Sequence, residues 1–101
     1  MIGNWIRRLT RRRAATPISV ILWGKADCSL CDRAGQILDR IARDYPLRIE
    51  KRDITADPVD HERFRYVIPV VEIDGGQRFE GKITEYWLRQ EIERLARQRV
   101  Q

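Results

Sequence analysis

The chain has 101 residues, of which 43% are hydrophobic and 35% charged, with 20 Lys and Arg against 15 Asp and Glu. That length accommodates one domain with a modest core and is too short for two. No apolar stretch approaches the roughly 18 residues of a membrane span, and two cysteines are too few for a disulfide framework.

The net charge of +5 is concentrated at the start: residues 1–13 hold Arg7, Arg8, Arg11, Arg12 and Arg13 and no acid. Ile2, Trp5, Ile6 and Leu9 recur there at helical spacing, a pattern suited to a basic amphipathic helix on anionic lipid or nucleic acid. A helix this short is marginal in water, so the expectation is a basic, flexible tail over residues 1–16 and a single domain over residues 17–101. Ala14, Ala15, Thr16 and Pro17 lead directly into a strand without the apolar segment of an export signal, which makes the cytoplasm the expected location.

Ile18 to Trp23 is β-branched and apolar, a strand buried on both faces. After Gly24 the period changes, and Cys31, Ala34, Leu38, Ile41, Ala42 and Tyr45 fall on one face of a helix that ends before Pro46. Leu47 and Ile49 alternate with Arg48 and Glu50 in a second strand running to about Asp53. Asp57 followed by Pro58 marks the start of a short helix reaching about Tyr66. Val70 to Ile73 is a third strand, which Asp74-Gly75-Gly76-Gln77 turns into a fourth around Phe79. Leu88, Ile92 and Leu95 stripe a last helix, with Glu85–Arg89 and Glu93–Arg97 spaced for surface ion pairs. The order is βαβαββα, with the first two strands parallel through a right-handed crossover and the last two antiparallel. Trp23 and Trp87 are expected in core or edge packing, and His61 as a solvated surface residue.

The chemistry is concentrated in Cys28-Ser29-Leu30-Cys31, the only cysteines, placed where the first strand gives way to a helix. Two thiols so spaced can close a small, readily reduced disulfide. Cys28 is the candidate nucleophile, because the unsatisfied amides and positive dipole end of the helix favour a thiolate there. Cys31 lies one turn on, in the buried stripe, as the resolving thiol. Lys25 supplies a favourable charge nearby, and Asp27 opposes it.

The element order, the Cys-x-x-Cys opening the first helix and Ile68-Pro69 leading the third strand resemble the glutaredoxins, within the thioredoxin fold. The likeness runs from about Ile18 to Leu95. It implies an α/β fold with a central four-stranded mixed sheet flanked by three helices, and a cis bond at Ile68-Pro69. The Ile68 amide and carbonyl would then be free to pair with a peptide or glutathione. It further implies that Lys25 binds a glutathione carboxylate, and that Gly81 and Thr84 stand where the family holds the rest of that molecule. Leu22 occupies the position of the buried aspartate of thioredoxins, which favours the glutaredoxin branch.

The chain also departs from the family pattern. Ser29-Leu30 replaces the usual Pro-Tyr between the cysteines. In Glu80-Gly81-Lys82-Ile83-Thr84 one glycine remains of a pair, and Thr84 stands in place of an acid. The resulting expectation is a monomeric thiol-disulfide oxidoreductase without a tightly bound cofactor or metal. Its substrates would be protein disulfides or glutathione mixed disulfides, with glutathione a possible co-substrate. Two alternatives stand beside it: an iron–sulfur protein using Cys28 in a dimer, since Ser follows the first cysteine as in cluster-binding glutaredoxins, and a non-enzymatic interaction module.

Overall fold

The computed structural model describes residues 16–100. The tail expected over residues 1–16 therefore lies, apart from Thr16, outside the described residues. The elements are β1 (Ile18–Gly24), α1 (Ser29–Ile41), β2 (Leu47–Asp53), a 3-10 turn (Ile54–Ala56), α2 (Pro58–Phe64), β3 (Val70–Ile73), β4 (Gln77–Glu80) and α3 (Glu85–Val100). The sheet order is β2-β1-β3-β4, with β1 parallel to β2 and β3 antiparallel to both β1 and β4. This is the βαβαββα order and mixed sheet expected from the sequence.

Side-chain alternation along the strands divides the core in two. Ile18, Val20 and Leu22 of β1 join Val71 and Ile73 of β3 on one face, covered by Ala34, Ile37, Leu38 and Ile41 of α1 and by Leu88 and Ile92 of α3. The odd-numbered Trp23, with Val70, turns to the other face and packs on Ile54 and on Phe64 of α2. The Trp23 and Phe64 ring centroids are 4.7 Å apart. Trp23 is thus a core residue, as its place in an apolar strand implied.

Local chemistry fixes the element ends. Asp57 caps α2, its carboxylate accepting the Val59 N–H at 2.8 Å, and Pro58 fills the first helical position. Ile73-Asp74-Gly75-Gly76 forms the hairpin turn, with φ of 55° at Asp74 and 73° at Gly75 and the Gly76 N–H donating to Ile73 O at 3.0 Å. Two consecutive positive φ angles are the requirement of the primed turn that matches strand twist. At the end of β1 away from Gly24, Arg99 of α3 reaches the carbonyls of Thr16 and Pro17 and the Asp74 carboxylate, at 3.3, 2.6 and 2.6 Å.

Several expectations are corrected. Helix α1 stops at Ile41, and Ala42 is its exposed C-cap rather than part of the buried stripe. Tyr45 is half-buried beyond that turn and donates its hydroxyl to Glu93 at 2.9 Å. Glu93 is therefore engaged across the helices instead of with Arg97. The Glu85–Arg89 pair does form, at 2.8 Å, and Glu85 also accepts from Arg40 of α1 at 2.8 Å, tying the two helices together. Helix α2 ends at Phe64, two residues earlier than expected. The 3-10 turn had no sequence signal beyond Asp53, whose carboxylate accepts the Thr55 N–H at 2.8 Å. His61 is half-buried, and Trp87 is 60% exposed instead of packed.

Candidate active site

The loop leaving β1 places the cysteines. Gly24 closes the strand, Asp27 turns the chain with a left-handed φ of 56°, and Cys28 becomes the N-cap of α1 in extended geometry. Asp is one of the few non-glycine residues that tolerate this region, which gives Asp27 a backbone role besides its charge. The Cys28 Sγ accepts the Cys31 N–H at 3.2 Å. One orphan amide of the helix start is thereby aimed at the sulfur, an arrangement that stabilises negative charge there once the bond is reduced.

Cys28 and Cys31 are joined in a disulfide, with Cα atoms 5.2 Å apart. The two cysteines are unequal: Cys28 is half-buried, whereas Cys31 is only 6% exposed. Cys28 is therefore the cysteine that can be reached from outside, and Cys31 is shielded behind it. Gly24 is the seat for Cys31. A Cβ at Gly24 would lie 3.1 Å from both Cβ and Sγ of Cys31, closer than ordinary packing allows.

Register brings the Ile68-Pro69 loop to the same end. Val70 pairs with Trp23, so Pro69 lies opposite Gly24, where the cysteine loop begins. The Ile68-Pro69 bond is cis, and Pro69 is buried. The Ile68 amide is not free, however: it donates to Phe64 O at 3.1 Å, closing the turn that follows α2. The expected two-sided backbone pairing at Ile68 is thereby reduced to its carbonyl. Gly81, with φ of 71°, spends its N–H on the carbonyls of Val67 and Pro69, each at 2.9 Å. It ties β4 to the proline loop instead of offering a donor to a ligand.

Two grooves flank the pair. One, of about 540 Å³, opens behind Cys31 between α1 and the ends of β1 and β2; Lys25, Lys51, Asp32 and Asp39 line it. Lys25 thus shares a wall with the buried sulfur. A Cβ at Gly35, one turn after Cys31, would lie 3.7 Å from Lys51 Nζ, so small residues on α1 keep this groove open. The other, of about 340 Å³, lies between α1 and the loop entering α3, and joins Leu30 to Thr84. Thr84 is exposed, its carbonyl accepting the Leu88 N–H at 3.3 Å. Glu85, at the lip of this groove, is held below the usual carboxylate range by hydrogen bonds from Arg89 and then Arg40. Asp53 beside the first groove is likewise lowered, by the Thr55 hydroxyl and then its amide.

The family model for the glutaredoxin-like domain (DUF836) matches residues 19–93. The chain belongs to this glutaredoxin-like family. Among solved structures it is similar to a chain from work on thiol resolution in a yeast mitochondrial 1-Cys peroxiredoxin by the glutathione and thioredoxin systems. That pair is 18% identical over 90% of this chain and 88% of the other, with a TM-score of 0.63. Oxidized mitochondrial thioredoxin 3 from Saccharomyces cerevisiae is 16% identical over 90% and 88% of the two chains, with a TM-score of 0.62. A mutant thioredoxin from Halobacterium salinarum is 16% identical over 78% and 74%, with a TM-score of 0.64. At these identities the likeness establishes the thioredoxin fold. No curated protein sequence gives a significant match.

Within this glutaredoxin-like fold, Gly24, Lys51, Arg33 and Lys82 stand at the site without having been candidates in the sequence. Gly24 carried one available signal, a glycine closing the strand just before a Cys-x-x-Cys loop. The lysines and arginine carried none, because the grooves exist only once α1 is docked. Among the described residues no three His, Cys, Asp or Glu side chains gather into a metal site, and no helix is long and apolar enough to cross a membrane.

Proposed function

We propose that this protein is a thiol-disulfide oxidoreductase that reduces protein disulfides through Cys28 and Cys31. The observation that carries the reading is the asymmetric bridge itself: a half-buried cysteine whose sulfur accepts a helix amide, bonded to a buried one. In the reduced protein the Cys28 thiolate attacks one sulfur of a substrate disulfide. A mixed disulfide forms, and the other substrate sulfur leaves as a thiolate and takes a proton. Cys31, having lost its own proton, then attacks Cys28 Sγ and releases the second substrate thiolate, leaving the bridge described above. Two electrons pass to the substrate.

Resetting the bridge takes an equal supply of electrons. Two glutathione thiols, giving glutathione disulfide, are the reductant we favour, because the family is glutaredoxin-like and the first strand carries Leu22 instead of an acid. Lys25 and the Ile68 carbonyl are the groups we assign to glutathione, and Thr84 is the one we assign to the protein substrate. Glutathione is kept reduced in the cytoplasm, and that is the location we favour. The cluster alternative is less well supported: one chain presents a single accessible sulfur, so a cluster requires a second chain and further thiols.

The test is steady-state reduction of a protein disulfide and of a glutathione mixed disulfide by wild type, Cys28→Ser and Cys31→Ser. Cys28→Ser is expected to abolish both activities. Cys31→Ser is expected to accumulate a covalent adduct through Cys28 that a thiol reductant releases. Undiminished turnover by Cys28→Ser would overturn the assignment.

A further inference from the structure

The groove between α1 and the α3 loop has a charge pattern that the redox chemistry does not require. Its mouth is Leu30, which lies between the cysteines and is 43% exposed. Its walls bring together Arg33, Arg40 and Lys82 with a single carboxylate, Glu85. Arg40 and Arg89 both hold Glu85, whereas Arg33 and Lys82 form no ion pair among the described residues. Two uncommitted cations thus stand along a cleft that reaches Leu30, between the two cysteines. A shallow depression on the outer face of α1 extends the cleft past Arg33, Asp32 and Gln36.

We infer that this groove is a specificity site for an acidic segment of a protein substrate, with an apolar side chain next to the substrate cysteine resting on Leu30 and carboxylates further along meeting Arg33 and Lys82. The inference rests on the oxidoreductase reading and extends it to substrate class. A helix-start sulfur with an exposed leucine beside it suits a chain passing across the N-terminus of α1. Rim charges of this kind act on encounter and register more than on the bond-making step. Free glutathione is the weaker occupant. The Gly81 amide is already spent on Val67 and Pro69, Thr84 offers no carboxylate for an ammonium, and Glu85 is occupied by two guanidinium groups.

The experiment uses the full chain, reduced, with three disulfide-linked peptides sharing one alanine-rich core and a leucine beside the cysteine. They carry two Glu, two Ser or two Lys at the same flanking positions, and a glutathione mixed disulfide is the fourth substrate. The expected result is a second-order rate for the Glu peptide about tenfold above that for the Lys peptide at low salt, shrinking toward equality at about 0.5 M NaCl. In Arg33→Glu/Lys82→Glu the Glu-to-Lys ratio is expected to fall below one, with folding verified by the unfolding midpoint. Equal rates on the three peptides would overturn this inference and leave the oxidoreductase reading intact. Failure to reduce any peptide would overturn the reading itself. If the double substitution slowed only the glutathione mixed disulfide, glutathione would be the occupant and the acidic-segment assignment would be wrong.

Discussion

Replacing Gly24 by Ala tests whether the seat beneath Cys31 is as tight as its geometry indicates. The added methyl meets Cys31 Cβ and Sγ at 3.1 Å, so the neighbours must part by a few tenths of an ångström. Overpacking of this kind costs about 1–3 kcal/mol. Removing a glycine from the unfolded chain returns about 0.4–1 kcal/mol, leaving a net loss of roughly 0–2.6 kcal/mol, centred near 1.3, in the oxidised protein. With a urea m-value of roughly 1 kcal/mol/M, the midpoint should fall by about 1 M. In the reduced protein the Cys31 sulfur is no longer held by its partner and can rotate, so the loss should be smaller. Gly35→Ala is the control. Its Cβ would meet Lys51 and Leu22 at 3.7–3.9 Å, an ordinary contact, and a helix-interior Gly-to-Ala change should stabilise by about 0.5–1 kcal/mol. Urea titrations of both variants in both redox states give the answer. A Gly24→Ala protein as stable as wild type when oxidised, or equally destabilised when reduced, would refute the idea that Gly24 makes room for the resolving sulfur.

Asp27→Asn keeps a residue that tolerates left-handed backbone while removing the charge. It should speed alkylation of reduced Cys28 by iodoacetamide at neutral pH, whereas an unaltered rate would show that the carboxylate does not influence the thiolate. Asp57→Ala removes the α2 cap and should cost about 1 kcal/mol by denaturant titration; no loss would mean that Pro58 alone fixes the helix start. Leu38→Ala opens a cavity at a fully buried position and should cost about 2–5 kcal/mol in the same titration. Glu85 has a folded-state pKa below its unfolded value, so its contribution to stability is present above the ordinary carboxylate range and is lost as pH falls through the depressed value. Stability measured between pH 6 and pH 3 should therefore decline less steeply in Glu85→Gln than in wild type, and parallel profiles would contradict the Arg40–Glu85–Arg89 link.

Most of the architecture was legible because it depends on local periodicity. Val20, Leu22, Val71 and Ile73 alternate as buried strand residues do, and Ala34, Leu38 and Ile41 recur as a docked helix face does. The Asp57-Pro58 and Asp74-Gly75 pairs carry their own backbone geometry. What was not legible depends on long-range partners. Tyr45 draws Glu93 away from Arg97 through a contact between residues 48 apart in sequence. Phe64 takes the Ile68 amide in the turn that follows α2, and Gly81 is spent on the proline loop only because β4 pairs with β3. Trp87 is exposed because Leu88 and Ile92, not Trp87, face the sheet. At the site, the spacing of Cys28 and Cys31 was readable, and the capping geometry follows from it. The grooves were not, since each is bounded by elements distant in the chain.

The Arg99 contacts give the domain two unlike ends. At one end a single guanidinium fastens the start of β1, the β3–β4 turn and the last turns of α3. At the other, about 20 Å away along the seven residues of β1, stand the disulfide and the proline loop. Thr16, the first described residue, lies on the fastened side. A label or surface attached at Thr16 would therefore hold the domain by its closed end and leave the reactive sulfur pointing outward. Attachment there should preserve access to Cys28 where coupling through a surface lysine such as Lys25 or Lys82 would obstruct it.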